Sequence, residues 1–227
     1  MSIQDLEGVI KYDLAFEYKP FAKTGNLETL IAWRAVFHRL GLIGQDPQRY
    51  GGLGFGNISQ KVEQASTTQR GKSRFTISGT QTGAAERLNE SQFCLVTDAC
   101  IRRNRIVAEG PVKPSSEALT HAAVYHCHPD IRFVMHVHCP EIWQATQMLG
   151  LPFIAQTIAY GTPEMAKAVQ HLILSLGKPC EGVFSMLGHE DGIVSFANIA
   201  EIAGNLLVDT LVRSLTFKRT DPKAGTK

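Results

Sequence analysis

The sequence lacks any apolar run long enough to cross a membrane. It also lacks an excess of one charge sign, since the formal net charge is only +2, and no basic stripe alternates with aromatic residues. These absences argue against a membrane partner and against a nucleic-acid partner. The first residues, Met1–Glu7, are acidic and do not resemble a secretory signal peptide.

Paired cysteines are also lacking. The five cysteines are an odd number, and no two of them have the C-x-x-C spacing of a metal or redox motif. This usage suits reduced thiols better than a disulfide framework. We therefore expect a cytoplasmic protein.

No Pro/Gly/Ser-rich linker, internal repeat or low-complexity segment divides the 227 residues. The hydrophobic fraction of 44% is enough for one substantial core. We predict an N-terminal arm over residues 1–25, which packs on the body or on a neighbouring subunit. One domain over residues 26–217 and a polar tail over residues 218–227 follow it.

Strands dominate the first half of the domain and alternate with helices in the second half, which is typical of a mixed α/β class. Asn26, Ser116 and Asn198 are expected to cap three of the helices, and Thr162 and Pro163 are expected to start another. Short β-rich runs predict strands over 58–62, 74–78, 93–97, 105–108, 182–187 and 192–196.

His136 and His138 end the run 131–138, which is β-rich and nearly all apolar and therefore predicts a buried strand. Residues two apart on a strand project from the same face, so both imidazoles approach one point where a metal ion accepts both. A bare pair of this kind is also typical of two core histidines with satisfied hydrogen bonds. His126 and His128 have the same spacing, but they end a helical stretch, where residues two apart point in different directions.

Two further residues are candidates for the same centre. His189 lies in a tight connection between two predicted strands, where a loop can deliver a third imidazole. Three nitrogen ligands with an open position are typical of a catalytic divalent site, and imidazoles suit zinc. Glu117 opens the helix that leads to the 131–138 strand. It is a candidate fourth ligand or base, or an acidic residue that only complements the helix dipole. We interpret His121, one turn later, as a packing or hydrogen-bonding residue.

A glycine-rich stretch over residues 50–59 precedes the first of the predicted strands. Many glycines let backbone N–H groups approach an anion closely. The same composition is typical of a set of tight turns, and the stretch alone does not separate the two.

Six short motifs follow one another in order along the chain. They are Gly56-Asn57-Ile58-Ser59, Thr76-Ile77-Ser78-Gly79, Lys113-Pro114-Ser115-Ser116-Glu117 with His121 and Tyr125, His136-Val137-His138, Tyr160-Gly161-Thr162-Pro163 and Leu187-Gly188-His189. The ordered set resembles the class II aldolase/adducin family, over roughly residues 26–212.

The resemblance implies an α/β fold, specifically a three-layer α/β/α sandwich with a central, mainly antiparallel sheet, assembled as a homotetramer with active sites between subunits. It implies that Glu117 is the acid/base. It also implies a metal site, with zinc or another divalent ion such as Mn²⁺ or Co²⁺, held by His136, His138 and His189. The anionic group of a small-molecule substrate would be held by Gly56, Asn57, Ser78, Gly79, Ser115 and Ser116.

Two stretches differ from the usual family pattern. The family usually has His-Gly after the last strand, whereas this chain has Glu190 and Asp191 between His189 and Gly192. These carboxylates are expected to orient the third ligand or to reshape the pocket. The loop 78–83 also differs from the common T-P-S-G form, and both differences bear on the identity of the substrate.

The function expected from this resemblance is a zinc-dependent lyase, of aldolase or decarboxylase type. It would cleave a carbon–carbon bond of a small hydroxylated carbonyl compound, such as a sugar phosphate, through a zinc-stabilised enediolate. An epimerase or dehydratase using the same enediolate is an alternative, and a non-catalytic adducin-like interaction module is another. Glu117, where epimerase relatives tend to carry Asp, favours the lyase. The three histidines favour an enzyme over the interaction module.

Overall fold

The computed structural model describes residues 9–22, 27–62, 74–177 and 179–217. The strands in these ranges are β1 (Asp13–Tyr18), β2 (Gly44–Gln45), β3 (Gly54–Phe55), β4 (Asn57–Lys61), β5 (Phe75–Ser78), β6 (Phe93–Cys100), β7 (Arg105–Gly110), β8 (Phe133–His138), β9 (Phe153–Ile154), β10 (Gly182–Met186) and β11 (Gly192–Ala197). The α-helices are α1 (Glu28–Arg39), α2 (Ala118–Cys127), α3 (Pro140–Gln144), α4 (Pro163–Ser175) and α5 (Ala200–Thr216). Among the described helices, none combines the length and the apolar character needed to span a bilayer.

Nine of the strands form one sheet in the order β1-β7-β6-β5-β4-β8-β11-β10-β9. The outermost pairings, β1 with β7 and β9 with β10, are parallel. The neighbours between them are antiparallel, so the sheet is mixed. β2 and β3 pair separately as a short antiparallel ribbon. The predicted mixed α/β class is confirmed.

The strand β8 shows how the two faces of the sheet are divided. Val134 belongs to a buried apolar cluster that includes residues of α2 and α4. Met135 and Val137 belong to a second cluster, which includes residues of α1, α3 and α5. Because side chains alternate along a strand, His136 and His138 project to the same face as Val134. β8 pairs with β4 and β11 on its two edges, so the histidine pair lies inside the sheet.

The predicted N-terminal arm contributes β1, which packs on its own chain. β1 pairs with β7 from Asp13 opposite Arg105 onward. Tyr12, just before β1, is buried and donates a hydrogen bond from its hydroxyl to the Ser115 carbonyl at 2.7 Å. Residues 1–8 and 23–25 of the predicted arm and the predicted tail, 218–227, lie outside the described residues, so the division into arm, domain and tail stays a prediction.

The helix start predicted at Thr162 and Pro163 is confirmed. The Thr162 hydroxyl accepts a hydrogen bond from the Met165 N–H at 3.2 Å at the start of α4. The predicted cap Asn26 lies outside the described residues. The predicted caps Ser116 and Asn198 are wrong by one residue, because the residue before α2 is Glu117 and the residue before α5 is Ile199. Neither of these residues accepts a capping hydrogen bond on its side chain.

Candidate functional site

Three buried imidazoles converge on the face of the sheet that carries Val134. His136, His138 and His189 each offer one ring nitrogen, and these nitrogens all lie within 4.8 Å of one another. The Nε2 atoms of His136 and His138 are 3.2 Å apart. The structure therefore brings together the three predicted metal ligands.

The register of β11 on β8 brings His189 to the pair. Gly192, the first residue of β11, lies opposite His138, and the Asp191 carbonyl accepts a hydrogen bond from the Cys139 N–H at 2.8 Å. A Cβ atom on Gly192 would lie 3.1 Å from both Cβ and Cγ of His189. Glycine at this position therefore leaves room for the imidazole.

The spacing of His136 and His138 fits a divalent metal ion. Nδ1 of His136 lies 3.1 Å from the Ile193 carbonyl. A carbonyl only accepts, so this nitrogen carries the proton and Nε2 keeps its lone pair. Two nitrogens bound to one tetrahedral zinc at about 2.0–2.1 Å lie about 3.3 Å apart, close to the separation of the two Nε2 atoms. Three neutral imidazoles are also a donor set that zinc accepts.

Glu117 lies at the edge of this histidine cluster. Its side chain is buried, and Oε1 is 3.9 Å from Nδ1 of His189. Oε2 accepts a hydrogen bond from the Thr120 hydroxyl at 2.8 Å. Thr120 therefore fixes the carboxylate with one oxygen toward the histidines, an arrangement suited to an acid/base group beside a metal.

A polar pocket lies beside the histidine cluster, because Asn57 is opposite His136 in the pairing of β4 with β8. We call it the anion pocket, after the anion-binding role that the sequence predicts for five of its residues. Its lining has no charged side chain and consists of Gly54, Gly56, Asn57, Gly79, Thr80, Gln81, Thr82, Gly83, Ser115 and Ser116. Five of the six predicted substrate-binding residues are in this lining. Ser78 is outside it, and its buried hydroxyl accepts a hydrogen bond from the Ile58 N–H at 3.2 Å.

Gly56 and Asn57 show how closely the anion pocket and the histidine cluster are packed. Gly56 has a φ of +75°, and a Cβ atom there would lie 2.6 Å from the Ile43 side chain and 3.2 Å from the His136 carbonyl. Only glycine fits both constraints. Asn57 is 5% exposed, and its Oδ1 has no hydrogen-bond partner among the described residues. A ligand in the pocket would supply the missing hydrogen bond to this side-chain amide. The amide accepts through its oxygen or donates through its nitrogen, depending on which of the two faces the ligand.

Tyr50 packs against the cluster from the glycine-rich stretch. Its ring lies edge-on to His138, with centroids 4.6 Å apart. Its hydroxyl donates to Oδ2 of Asp191 at 2.6 Å and accepts a hydrogen bond from Arg49 at 2.6 Å. Burial raises the pKa of Tyr50, and the Asp191 carboxylate raises it further, so the phenol stays protonated.

Asp191 contacts the histidine cluster through Tyr50. Its carboxylate accepts a hydrogen bond from the Tyr50 hydroxyl, and the Tyr50 ring packs on His138. The two expected roles of Asp191, orienting His189 or reshaping the pocket, stay predictions. Glu190 is exposed. The sequence offered no signal for Tyr50 beyond its place at the start of the glycine-rich stretch. Its φ of 49° is rare for a residue with a side chain.

His189 is held on its other side by aromatic stacking. The Tyr160 ring stacks on its imidazole, with centroids 4.3 Å apart and planes 16° from parallel. The ammonium of Lys11 lies 3.7 Å from the centroid of the same tyrosine ring. The segment before β1 therefore contacts the cluster indirectly, because Lys11 packs on Tyr160 and Tyr160 stacks on His189. Sequence reasoning did not identify Lys11.

His121 is confirmed as a hydrogen-bonding residue. Its Nδ1 lies 2.6 Å from the Ser59 hydroxyl, and that hydroxyl lies 2.7 Å from the hydroxyl of Tyr125. Burial, and then the neighbouring His136, hold the pKa of His121 well below its usual value of 6.5. His121 is therefore neutral at physiological pH and ties α2 to β4, the strand that pairs with β8.

Comparison with known proteins assigns the family. The profile described as Class II Aldolase and Adducin N-terminal domain matches residues 47–174. The chain therefore belongs to the class II aldolase and adducin family. Members of this family are usually enzymes, and class II aldolases are typically dependent on a divalent metal.

Solved structures show the same fold. YgbL from Klebsiella pneumoniae has a TM-score of 0.60 and 17% identity, with 86% of this chain and 90% of that chain covered. L-Fuculose-1-phosphate aldolase from Thermus thermophilus has a TM-score of 0.56 and 17% identity, with 82% of this chain and 89% of that chain covered. A sugar-phosphate aldolase from Thermotoga maritima has a TM-score of 0.54 and 16% identity, with 85% of this chain and 95% of that chain covered. A search of curated proteins gave no match.

Proposed function

We propose that this chain is a divalent-metal-dependent lyase, of aldolase or decarboxylase type, that cleaves a carbon–carbon bond of a small hydroxylated carbonyl compound. One observation carries the proposal: the buried carboxylate of Glu117 lies 3.9 Å from His189, within a cluster of three imidazoles. Cleavage next to a carbonyl needs a site for developing negative charge and a group that moves a proton. Family membership supports the same class.

Zinc is the ion that we propose, with Mn²⁺ or Co²⁺ as alternatives. His136, His138 and His189 would hold it through ring nitrogens. A bound divalent ion supplies Lewis-acid stabilisation of negative charge on the substrate oxygen.

Glu117 is proposed to move the proton. In the cleavage direction its carboxylate takes the proton of the substrate hydroxyl, so that a carbonyl forms as the carbon–carbon bond breaks. The protonated Glu117 then returns the proton to the carbon that has kept the electron pair. The hydrogen bond from Thr120 to Oε2 keeps Oε1 toward the reacting atoms in both steps.

The anion pocket is proposed to hold a phosphate or a carboxylate group of the substrate, with the carbonyl end at the histidine cluster. Asn57 and His136, paired across two strands, join the two parts of the site. Several aligned N–H groups and hydroxyls hold an anion without a cation in the lining itself.

An epimerase or dehydratase is the second candidate. The description of YgbL names aldolase, epimerase and decarboxylase as alternatives, and proton transfer by Glu117 would serve all of these reactions. A non-catalytic adducin-like interaction module is the third candidate. The buried histidine cluster favours an enzyme over that module.

We also propose a cytoplasmic homotetramer. All five cysteines are free, which supports a reducing compartment. The tetramer is proposed from the family resemblance.

The test is a substrate screen with the purified, zinc-loaded chain, followed by NMR of the products. The panel contains phosphorylated and unphosphorylated hydroxyketones, together with hydroxy acids. Two smaller carbon fragments, or released carbon dioxide, support the lyase. An unbroken carbon skeleton with one inverted stereocentre, or with one water lost, supports the second candidate. Glu117→Gln should lower kcat by a factor of about 10²–10⁴. A variant with wild-type kcat would contradict the role given to Glu117.

A further inference from the structure

Arg34 is a buried arginine on α1 that lies behind the anion pocket. Its side chain is 1% exposed. Its guanidinium donates hydrogen bonds to four main-chain carbonyls of one loop, those of Thr82, Gly83, Ala85 and Glu86. The distances are 3.0 Å to Thr82, 3.1 Å to Gly83 and 2.9 Å to Glu86. One planar cation thus holds together a loop that has no regular secondary structure.

The loop that Arg34 holds forms one wall of the anion pocket, since Gly79 to Gly83 all belong to the lining. Gln81 has a left-handed φ of 56°, and its side chain accepts a hydrogen bond from the Gly54 N–H at 3.0 Å. Gly83 packs so tightly that a Cβ atom there would overlap the Gly44 carbonyl. The wall is therefore fixed by the hairpin of β2 and β3 on one side and by Arg34 on the other.

The charge of Arg34 also acts on this wall. Burial lowers the pKa of Arg34 to about 10, so the guanidinium stays charged at neutral pH. Among the described residues, no carboxylate forms an ion pair with it. A carbonyl that accepts from a cation polarises its own peptide unit, so the N–H group of that unit becomes a stronger donor. The neutral lining of the pocket is thus backed by one buried positive charge.

We propose that Arg34 is a positioning residue for the anionic group of the substrate: it fixes the loop 79–86 and supplies the positive charge behind the anion pocket. The proposal rests on the function proposed above only in that the pocket receives the substrate's anion. It adds a specificity: an anionic group is bound in preference to a neutral group of the same shape.

The test is calorimetric titration of inorganic phosphate into the wild type, Arg34→Gln and Arg34→Lys. Arg39→Gln is the matched control, because Arg39 lies on the same helix and pairs with Glu86 of the same loop, but on the surface. Arg34→Gln should weaken phosphate binding about tenfold or more, since a charge and several hydrogen bonds are lost. Arg34→Lys keeps the charge but not the planar donor set, and should also bind more weakly than the wild type. Arg39→Gln should bind as the wild type does.

Two further measurements allow the proposal to be tested even if Arg34→Gln does not fold. If Arg34→Gln does not fold, Arg34→Lys and hydrogen–deuterium exchange of the wild type carry the test, because phosphate should slow exchange of the amides in residues 79–86. Wild-type phosphate affinity in a folded Arg34 variant, no phosphate binding by the wild type, or unchanged exchange in the loop would each overturn the proposal. Phosphate binding is measured without turnover, so failure of the lyase assay alone leaves this result intact.

Discussion

At the scale of single residues, the Ile193 carbonyl determines which nitrogen of His136 is available. It accepts from Nδ1, so Nε2 is left as the donor to a metal, facing the same atom of His138. Hydrogen bonds of this kind raise the basicity of a ligand and fix its ring. The strand β11 therefore contributes to the histidine cluster through its backbone as well as through the loop before it.

His136→Ala should remove most of the bound metal. Loss of a residue that hydrogen-bonds to a metal ligand typically lowers metal affinity about 10–100-fold, and loss of the ligand itself should lower it further. Elemental analysis and chelator competition measure the effect. His126→Ala is the control, because His126 is exposed at the end of α2. A full metal equivalent in His136→Ala would show that the ligand assignment is wrong.

Tyr50→Phe should weaken metal binding about tenfold. This is the lower end of the range of about 10–100-fold in metal affinity that follows the loss of a residue supporting a metal ligand. The change keeps the ring that packs on His138 but removes the hydroxyl that links it to Asp191 and Arg49. Tyr18→Phe, at a tyrosine that is 69% exposed, should leave affinity unchanged. Equal chelator competition curves for Tyr50→Phe and the wild type would exclude a role for this hydroxyl in orienting His138.

The sequence predicts the donor residues of the site better than their supports. The pair at 136 and 138 follows from the two-residue period of a strand, and His189 followed from its place in the ordered motifs. Arg34 and Lys11 carry no such signal, because their contacts are with residues far along the chain. Local pattern reflects local geometry, whereas these contacts depend on how the sheet and helices assemble.

At the scale of elements, long periodic segments were predictable and short ones were not. β8 and α4 were expected from their hydrophobic patterns, and both are present. The two-residue strands β2, β3 and β9 were not expected, since two residues carry no period. β1 fell within the predicted arm, and only its pairing with β7 makes it a strand of the sheet.

The hydrogen-bonded group of His121, Ser59 and Tyr125 links α2 to β4 and should make stability fall with acid. The pKa of His121 is lowered in the folded protein, so below about pH 6.5 the unfolded chain takes up a proton that the folded chain does not. This contribution is fully present above pH 6.5. It is lost as the pH falls, by up to about 1.4 kcal/mol for each pH unit until the folded-state pKa is reached.

Urea unfolding at a series of pH values between 5 and 8 measures this effect. His121→Gln should unfold with a shallower loss of stability below pH 6.5 than the wild type. Tyr125→Phe is the matched control, because it breaks the same hydrogen-bonded group without removing the titrating imidazole, and it should keep the wild-type slope. Parallel curves for the wild type and His121→Gln would assign the acid sensitivity to other residues.

At the scale of the whole molecule, the end of α5 exposes apolar side chains. Val212 and Leu215 are 58% and 63% exposed, and Phe217 is 38% exposed. Val212 and Leu215 are three residues apart and so share one side of the helix. Contiguous exposed apolar surface is typical of a site that another protein surface covers.

We predict that light scattering at micromolar concentration gives the mass of four chains of 24.9 kDa. Leu215→Glu should shift the mass toward smaller species if the end of α5 lies between subunits, because a buried unpaired carboxylate opposes association. Leu174→Glu, at the end of α4, tests a second exposed surface in the same way. A wild-type chain that scatters as a monomer would contradict the predicted tetramer.

The parallel pairing of β1 with β7 has a consequence for the order of events during synthesis. A ribosome that adds about 5–20 residues per second needs roughly 5–20 s to pass from β1 to β7. Until then the earliest strand has no neighbour to pair with. The contacts of Lys11 with Tyr160 and of Tyr12 with Ser115 must wait as well, because both partners are translated later still. β1 can therefore pair in the sheet only after β7 has been made, and the contacts of Lys11 and Tyr12 form only after Tyr160 and Ser115 have been made.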